Sequence, residues 1–128
     1  MTNPTVSIGM PVFNGAPYVE AAIRTLLSQS FKDFELIIAD NCSTDSTFEI
    51  IKKYALLDGR IKHFRHVKNE GGLFNFEFVK NKAVGEYFMW AAHDDTWKKN
   101  HLALAVKALK SDPNVGFVFP TFKLKSIN

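Results

Sequence analysis

Two aspartates, Asp94 and Asp95, close the stretch Gly85-Glu86-Tyr87-Phe88-Met89-Trp90-Ala91-Ala92-His93. An apolar run this short and this rich in aromatics predicts a buried strand, and a buried strand reaches water only at the rim of its sheet. Adjacent carboxylates at a rim repel unless positive charge stands beside them. A divalent cation with oxygen ligands, shared with a phosphate-bearing substrate, is one such partner. The alternative is that both aspartates cap a helix starting near Lys98, since Asp is among the favoured capping residues. A third acid, Asp40, ends another apolar run and opens the polar segment Asp40-Asn41-Cys42-Ser43-Thr44-Asp45-Ser46. It could accept hydrogen bonds from a base or ribose, or it could bind backbone N–H groups of its own turn.

The elements that must position these acids follow from the apolar spacing. Thr5 to Met10 predicts a first strand, stopped by the turn-rich Pro11-Val12-Phe13-Asn14-Gly15-Ala16-Pro17. Pro17 suits a first helical turn, and Val19, Ala22, Ile23, Leu26 and Leu27 form one helical stripe. Phe34 to Ala39 predicts a strand covered on both faces. Ile50, Ile51, Tyr54 and Ala55 mark a second helix, ended by Leu57-Asp58-Gly59. Ile61 to Val67 predicts a weaker strand near a sheet edge. Phe76, Val79 and Ala83 have helical spacing, as do Leu102, Ala105, Val106 and Leu109 before Asp112-Pro113. Val115 to Phe119 predicts a fifth strand, and residues 121–128 show no clear pattern. Strict alternation of strand and helix argues an α/β fold with a doubly wound, mostly parallel sheet and helices on both faces. Such sheets bind ligands at the carboxyl ends of the strands, where strand order reverses. Parallel strands would therefore gather Pro11 to Asn14, Asp40 with Asn41, and Asp94 with Asp95 on one rim.

Composition narrows the functions. The 128 residues, 46% hydrophobic, suit one domain. Sixteen Lys and Arg against 13 acids leave a net charge of +3, and the lysines are scattered, so no nucleic-acid partner is expected. The lone cysteine, Cys42, allows neither an internal disulfide nor a cysteine metal site, which fits a reducing compartment. Cys42 reads as a small buried filler and Trp90 as core, while Trp97 suits the cleft or the packing of the next helix equally. No apolar run approaches the ~20 residues of a membrane span, and no signal peptide is visible at Met1-Thr2-Asn3-Pro4. Neither G-x-G-x-x-G nor G-x-x-x-x-G-K-[ST] occurs. Without a glycine-rich phosphate cradle, a metal held by Asp95 is the natural partner of a diphosphate.

Several ordered motifs resemble family 2 glycosyltransferases with the GT-A fold. They are Val6-Ser7-Ile8-Gly9-Met10-Pro11-Val12-Phe13-Asn14-Gly15, the segment from Leu27 to Ile38, and Asp40-Asn41-Cys42-Ser43-Thr44-Asp45. Asn69-Glu70-Gly71-Gly72 and Ala83-Val84-Gly85-Glu86-Tyr87, leading to His93-Asp94-Asp95, complete a likeness that spans nearly the whole chain. The resemblance implies inverting transfer of a sugar from a nucleotide-sugar, most often UDP-linked, to a glycan or lipid-linked acceptor. It implies that Pro11, Val12 and Phe13 line the nucleoside pocket with Asn14 beside them. By the same likeness Asp40 holds the base with Asn41 next to it, Asp94 lies near the ribose and sugar-phosphate, and Asp95 coordinates Mg²⁺ or Mn²⁺. No catalytic residue is assigned within the chain.

The sequence also departs from the family. Ala92 stands where relatives often carry another Asp, with His93 in the variable middle position, and the Ala-Arg-Asn run common after Gly71 is missing, with Asn75 and Phe76 nearby. Family members continue well beyond the fifth strand, into acceptor-binding elements and the carboxylate that serves as general base. We therefore expect residues 1–128 to be one donor-binding domain, cut before the acceptor-binding half, that transfers sugar poorly by itself. The expected setting is cytoplasmic, with room for peripheral association at the inner face of the membrane and for a homodimer. Two rival functions are a nucleotidyltransferase, which should carry a glycine-rich, basic loop after the first strand, and a non-catalytic nucleotide-sugar or protein-binding module.

Overall fold

The computed structural model describes residues 2–120. Strands and helices alternate in the order β1 (Val6–Val12), α1 (Ala16–Leu27), β2 (Phe34–Asp40), α2 (Thr47–Leu57), β3 (Ile61–Arg65), α3 (Gly72–Asn81), β4 (Tyr87–Trp90) and α4 (His101–Ser111). The strands form one parallel sheet in the order β3-β2-β1-β4. The chain therefore winds outward from β1 in both directions, and strand order reverses between β1 and β4. β1 and β2 are buried along their whole length, which accounts for their nearly continuous apolar sequence.

Both faces carry helices. Val19, Ala22, Ile23 and Leu26 of α1, Ile51 and Tyr54 of α2, and Leu102 and Val106 of α4 share one core with Ile8, Met10, Leu36 and Ile38. On the opposite face Val79 of α3 packs with Ile37 and Ala39, flanked by Phe88. Gly9 makes that second layer thin enough to close. A Cβ at Gly9 would stand 2.7 Å from the Phe88 ring and 2.8 Å from Val79.

β1 runs past its expected stop at Met10, to Val12, because Pro11 obstructs only one of its neighbours. The β1–β2 register continues to Val12 opposite Asp40. The β1–β4 register ends at Gly9 opposite Trp90, with a last bond from Ala91 N to Gly9 O at 2.8 Å. In a parallel ladder the next rung would run from the N–H of residue 11 to Ala91 O. Pro11 has no N–H, so the two chains part there.

Other expectations need correction. β4 is only half-buried and Trp90 is 48% exposed rather than core. β4 is the outer strand among the described residues, so its far side lacks a covering neighbour. In α3 the buried positions are Asn75 and Val79, while Phe76 is 46% exposed and Ala83 lies beyond the helix end. Val115 to Phe119 forms no strand and is exposed from Gly116 onward, finding no ladder partner among the described residues. Residues 121–128, where the sequence shows no clear pattern, lie outside the described residues. No described helix is long and apolar enough to cross a membrane.

A polar latch ties the opposite, amino-terminal rim. Glu35, 4% exposed, accepts from Ser7 Oγ at 2.5 Å, Lys62 Nζ at 2.5 Å and Val84 N at 3.0 Å. Ser7 Oγ in turn accepts from Gly85 N at 2.8 Å. Burial disfavours the Glu35 charge, but Lys62, Ser7 and the Val84 amide outweigh it and hold the carboxyl below its usual range.

Candidate functional site

Three loops leave the carboxyl ends of β1, β2 and β4. The first two are stitched together. Asn14 sits at φ 49°, a left-handed conformation that Asn tolerates. Its N–H donates to Ser43 Oγ at 2.8 Å, and its side-chain oxygen accepts from Thr44 N at 2.8 Å. Gly15 N donates to Thr47 Oγ1 at 2.9 Å, and Ala16 N to Asp45 Oδ2 at 3.2 Å. Asp45 also receives the Thr47 amide at 3.0 Å and the Thr47 hydroxyl. Desolvation opposes the Asp45 charge, yet these donors prevail and hold its carboxyl below the usual range. One acid thus serves the first turns of both α1 and α2, where helix N–H groups lack partners of their own.

Asp40 lies on the expected rim but not as an open acceptor. Its side chain has no solvent exposure. Both oxygens face Ser43 N at 3.3 Å, Oδ1 also takes the Ser43 hydroxyl, and Oδ2 meets Arg65 Nε at 3.2 Å. The arrangement is the local-turn alternative, reinforced by an ion pair across strands. Asn41, 3% exposed, holds the loop before α3: it donates to Asn69 Oδ1 at 3.0 Å and Gly71 O at 3.1 Å, and accepts from Glu70 N at 2.9 Å. Pro11 and Val12 are buried, so only Phe13, 44% exposed, and Asn14 present side chains to solvent from that segment.

Asp94 and Asp95 behave oppositely. Both are exposed, in a turn marked by Asp95 N to Ala92 O at 3.3 Å. Neither carboxylate has a hydrogen-bond or ion-pair partner among the described residues. They do not cap α4, which begins at His101 behind Asn100. That role falls to Gln29, fully buried, whose Oε1 accepts from Leu102 N at 3.0 Å while its Nε2 donates to Lys98 O at 2.7 Å. β2 and β4 flank β1, so Asp40 and the acidic turn stand on opposite sides of the β1 end.

The structure also supplies residues the spacing did not mark. Arg65 is the cross-strand partner of Asp40, donates to Ser43 O at 2.9 Å and covers the Phe48 ring at 4.7 Å. Asn75 donates to Ala39 O at 2.8 Å and turns its oxygen to His66 Nε2 at 2.8 Å, joining α3 to the ends of β2 and β3. Their polar identity at buried or rim positions was the available signal. The partners were not, being up to 36 residues away.

No cluster of three or more His, Cys, Asp or Glu side chains suited to a metal occurs among the described residues. Asp94 and Asp95 nonetheless fit a hard cation of the Mg²⁺ or Mn²⁺ type. Such ions bind through one or two carboxylates, the remaining positions going to water and substrate phosphate. Two surface hollows lie elsewhere, one over Lys52, Leu56 and His63, the other over Phe74, Phe78 and Lys82.

Comparison with known proteins identifies the family and the fold. The family model "Glycosyl transferase family 2" matches residues 7–126. The chain is 36% identical over 104 residues to the putative teichuronic acid biosynthesis glycosyltransferase TuaG of Bacillus subtilis, covering 80% of this chain and 41% of that protein. It is 35% identical over 108 residues to the putative colanic acid biosynthesis glycosyl transferase WcaA of Escherichia coli, covering 80% and 37%. Among solved structures, S. aureus TarS 1-349 in complex with UDP-GlcNAc superposes with a TM-score of 0.78 at 27% identity, over 84% of this chain and 31% of that one. The mannosyltransferase PcManGT from Pyrobaculum calidifontis, in complex with GDP-Man and Mn²⁺, gives 0.80 at 26%, over 91% and 35%. The chain thus spans well under half the length of these relatives.

Proposed function

The chain belongs to glycosyl transferase family 2, and from that premise we propose that it is the donor-binding part of an inverting glycosyltransferase. Its donor is a nucleoside-diphosphate sugar, UDP-linked by first choice, and its acceptor a glycan or a lipid-linked glycan. The observation that carries the proposal is the pair of exposed carboxylates, Asp94 and Asp95, without partners among the described residues and beside the reversal of strand order.

In this proposal the nucleoside lies along Phe13 and Asn14, between the first two loops. Asp40 shapes that pocket from below. A base N–H reaching its carboxylate would compete with the Ser43 hydroxyl for the same oxygen, and an acceptor-only carboxylate suits uracil or guanine, each of which offers a ring N–H. Asp94 faces the ribose and sugar-phosphate side, and Asp95 would hold Mg²⁺ or Mn²⁺. When bound, such a cation offsets the charge that builds on the departing nucleoside diphosphate. Inverting transfer needs a base opposite the leaving group to take the acceptor hydroxyl proton. We place that base, and acceptor binding, outside residues 1–128, with those residues forming a single donor-binding domain.

Calorimetry with UDP and GDP, each with and without Mn²⁺, tests the proposal. The expected result is nucleotide binding that Mn²⁺ strengthens, a gain that Asp95→Ala abolishes. Failure of both nucleotides to bind under either condition would sink it and favour a protein-interaction module. GDP binding without UDP binding would retain the function and change the donor.

A further inference from the structure

Gly15 precedes α1 with φ −103° and ψ 15°, a backbone conformation open to any residue. Its missing side chain is therefore a matter of space. A Cβ there would stand 2.5 Å from His93 Cδ2, 3.1 Å from His93 Cγ and 2.8 Å from Val12 Cγ2. Real Cβ atoms do not approach that closely, so the imidazole occupies the volume that any other residue at position 15 would fill. The seat itself is held by the bond from Gly15 N to Thr47 Oγ1 and, through Thr47, by Asp45. His93 is half-buried, and the next two residues are the exposed Asp94 and Asp95.

We propose that His93 is a positioning residue for the acidic turn. Resting on the backbone of Gly15, its ring sets how far Asp94 and Asp95 stand from the loop that carries Phe13 and Asn14. The inference deepens the nucleotide-sugar reading above and rests on it. β4 parts from β1 after the bond from Ala91 N to Gly9 O, so the ladder no longer guides the chain where the acids begin. The ring against Gly15 restores that guidance. The ring acts by shape: a flat side chain between two loops fixes their separation. Contacts run without a break from Asp40 through the Ser43 hydroxyl to Asn14 N, along the chain to Gly15, and across to His93. The nucleoside side and the metal side of the site are thereby kept at one spacing.

Four proteins test this: the unaltered chain, His93→Ala, Gly15→Ala and the double variant, each melted and each titrated with UDP with and without Mn²⁺. For His93→Ala the metal-free UDP affinity should stay close to that of the unaltered chain, while the gain from Mn²⁺ falls about ten-fold, the scale of losses from outer-shell changes at metal sites. Gly15→Ala, which forces the ring from its seat, should show the same loss, and the double variant no further loss, because both changes break one contact. A Mn²⁺ gain in His93→Ala equal to that of the unaltered chain overturns the proposal. If the unaltered chain binds no nucleotide, the functional reading fails first. The positioning claim is then decided by amide NMR signals: Gly15→Ala should shift those of Asp94 and Asp95, and signals that stay in place overturn it.

Discussion

Asp40 and Arg65 are cross-strand partners whose side chains meet at 3.2 Å, the carboxylate fully buried and the guanidinium side chain 39% exposed. Removing one member of such a pair leaves the other with its desolvation penalty and less to offset it. Arg65→Met keeps an apolar stem over Phe48 and deletes the charge. It should lower the unfolding free energy in urea by about 2 kcal/mol, the partial exposure keeping the loss below that of a fully buried pair. In an Asp40→Asn background the same change should cost much less. Equal losses in both backgrounds would show that the two residues act independently.

The acidic turn should separate stability from binding. With no partner for either carboxylate among the described residues, Asp94→Asn combined with Asp95→Asn should leave the unfolding free energy within about 0.5 kcal/mol of the original. The same variant should bind UDP without any response to Mn²⁺. A large drop in melting temperature would reveal a structural role that the described contacts do not contain.

Glu35 makes the stability depend on pH. Its folded pKa lies below the unfolded value of 4.5, so the native state binds the proton less readily than the unfolded chain. The contribution is fully present above pH 4.5 and is lost as pH falls through the lower, folded pKa. Glu35→Gln should therefore be destabilised by about 1–2 kcal/mol at pH 7, the range for a charge-assisted hydrogen bond to a half-exposed lysine. Urea titrations repeated toward pH 3 should bring the two proteins together. A gap that stays constant with pH would mean that packing, and not charge, sets the cost.

Two glycines should respond in opposite directions. At Gly85 a Cβ would stand 2.7 Å from Ser7 N and 2.9 Å from Val6 C, backbone atoms of a buried strand that cannot give way. Gly85→Ala should destabilise by about 2 kcal/mol or more, as overpacking does. At Gly72, the first residue of α3, nothing lies within 4 Å. Gly72→Ala should stabilise by about 0.5 kcal/mol by restricting the unfolded chain. Parallel thermal melts decide both, and a pair of shifts of the same sign would contradict the packing described.

The repeated alternation of apolar strand and striped helix made the sheet legible before any coordinates. β2, apolar for nearly its whole length, could only lie between layers. The rim followed from parallel topology, since it needs no more than the order of elements. Side-chain partners across the rim were not legible. Asp40 and Arg65 meet through strand register, and Gly15 and His93 through the approach of two loops 78 positions apart, neither of which any periodicity encodes. Position 90 misled because a Trp inside a short apolar run reads as core, while burial depends on neighbours that an outer strand lacks. Val115 to Phe119 misled in the same way, having strand-like residues without a strand to lie beside. At Asn75 the helical spacing runs through apolar neighbours, whereas α3 buries the polar side chain beside them.

Pro11 has an effect that reaches past its own turn. A seam closed by hydrogen bonds can normally creep, gaining a rung when the chains draw together. Here the next stitch needs a donor that a pyrrolidine ring does not possess, so the seam between β1 and β4 has a fixed terminus. The fork beyond it therefore cannot zip shut, whether or not a guest stands beside it.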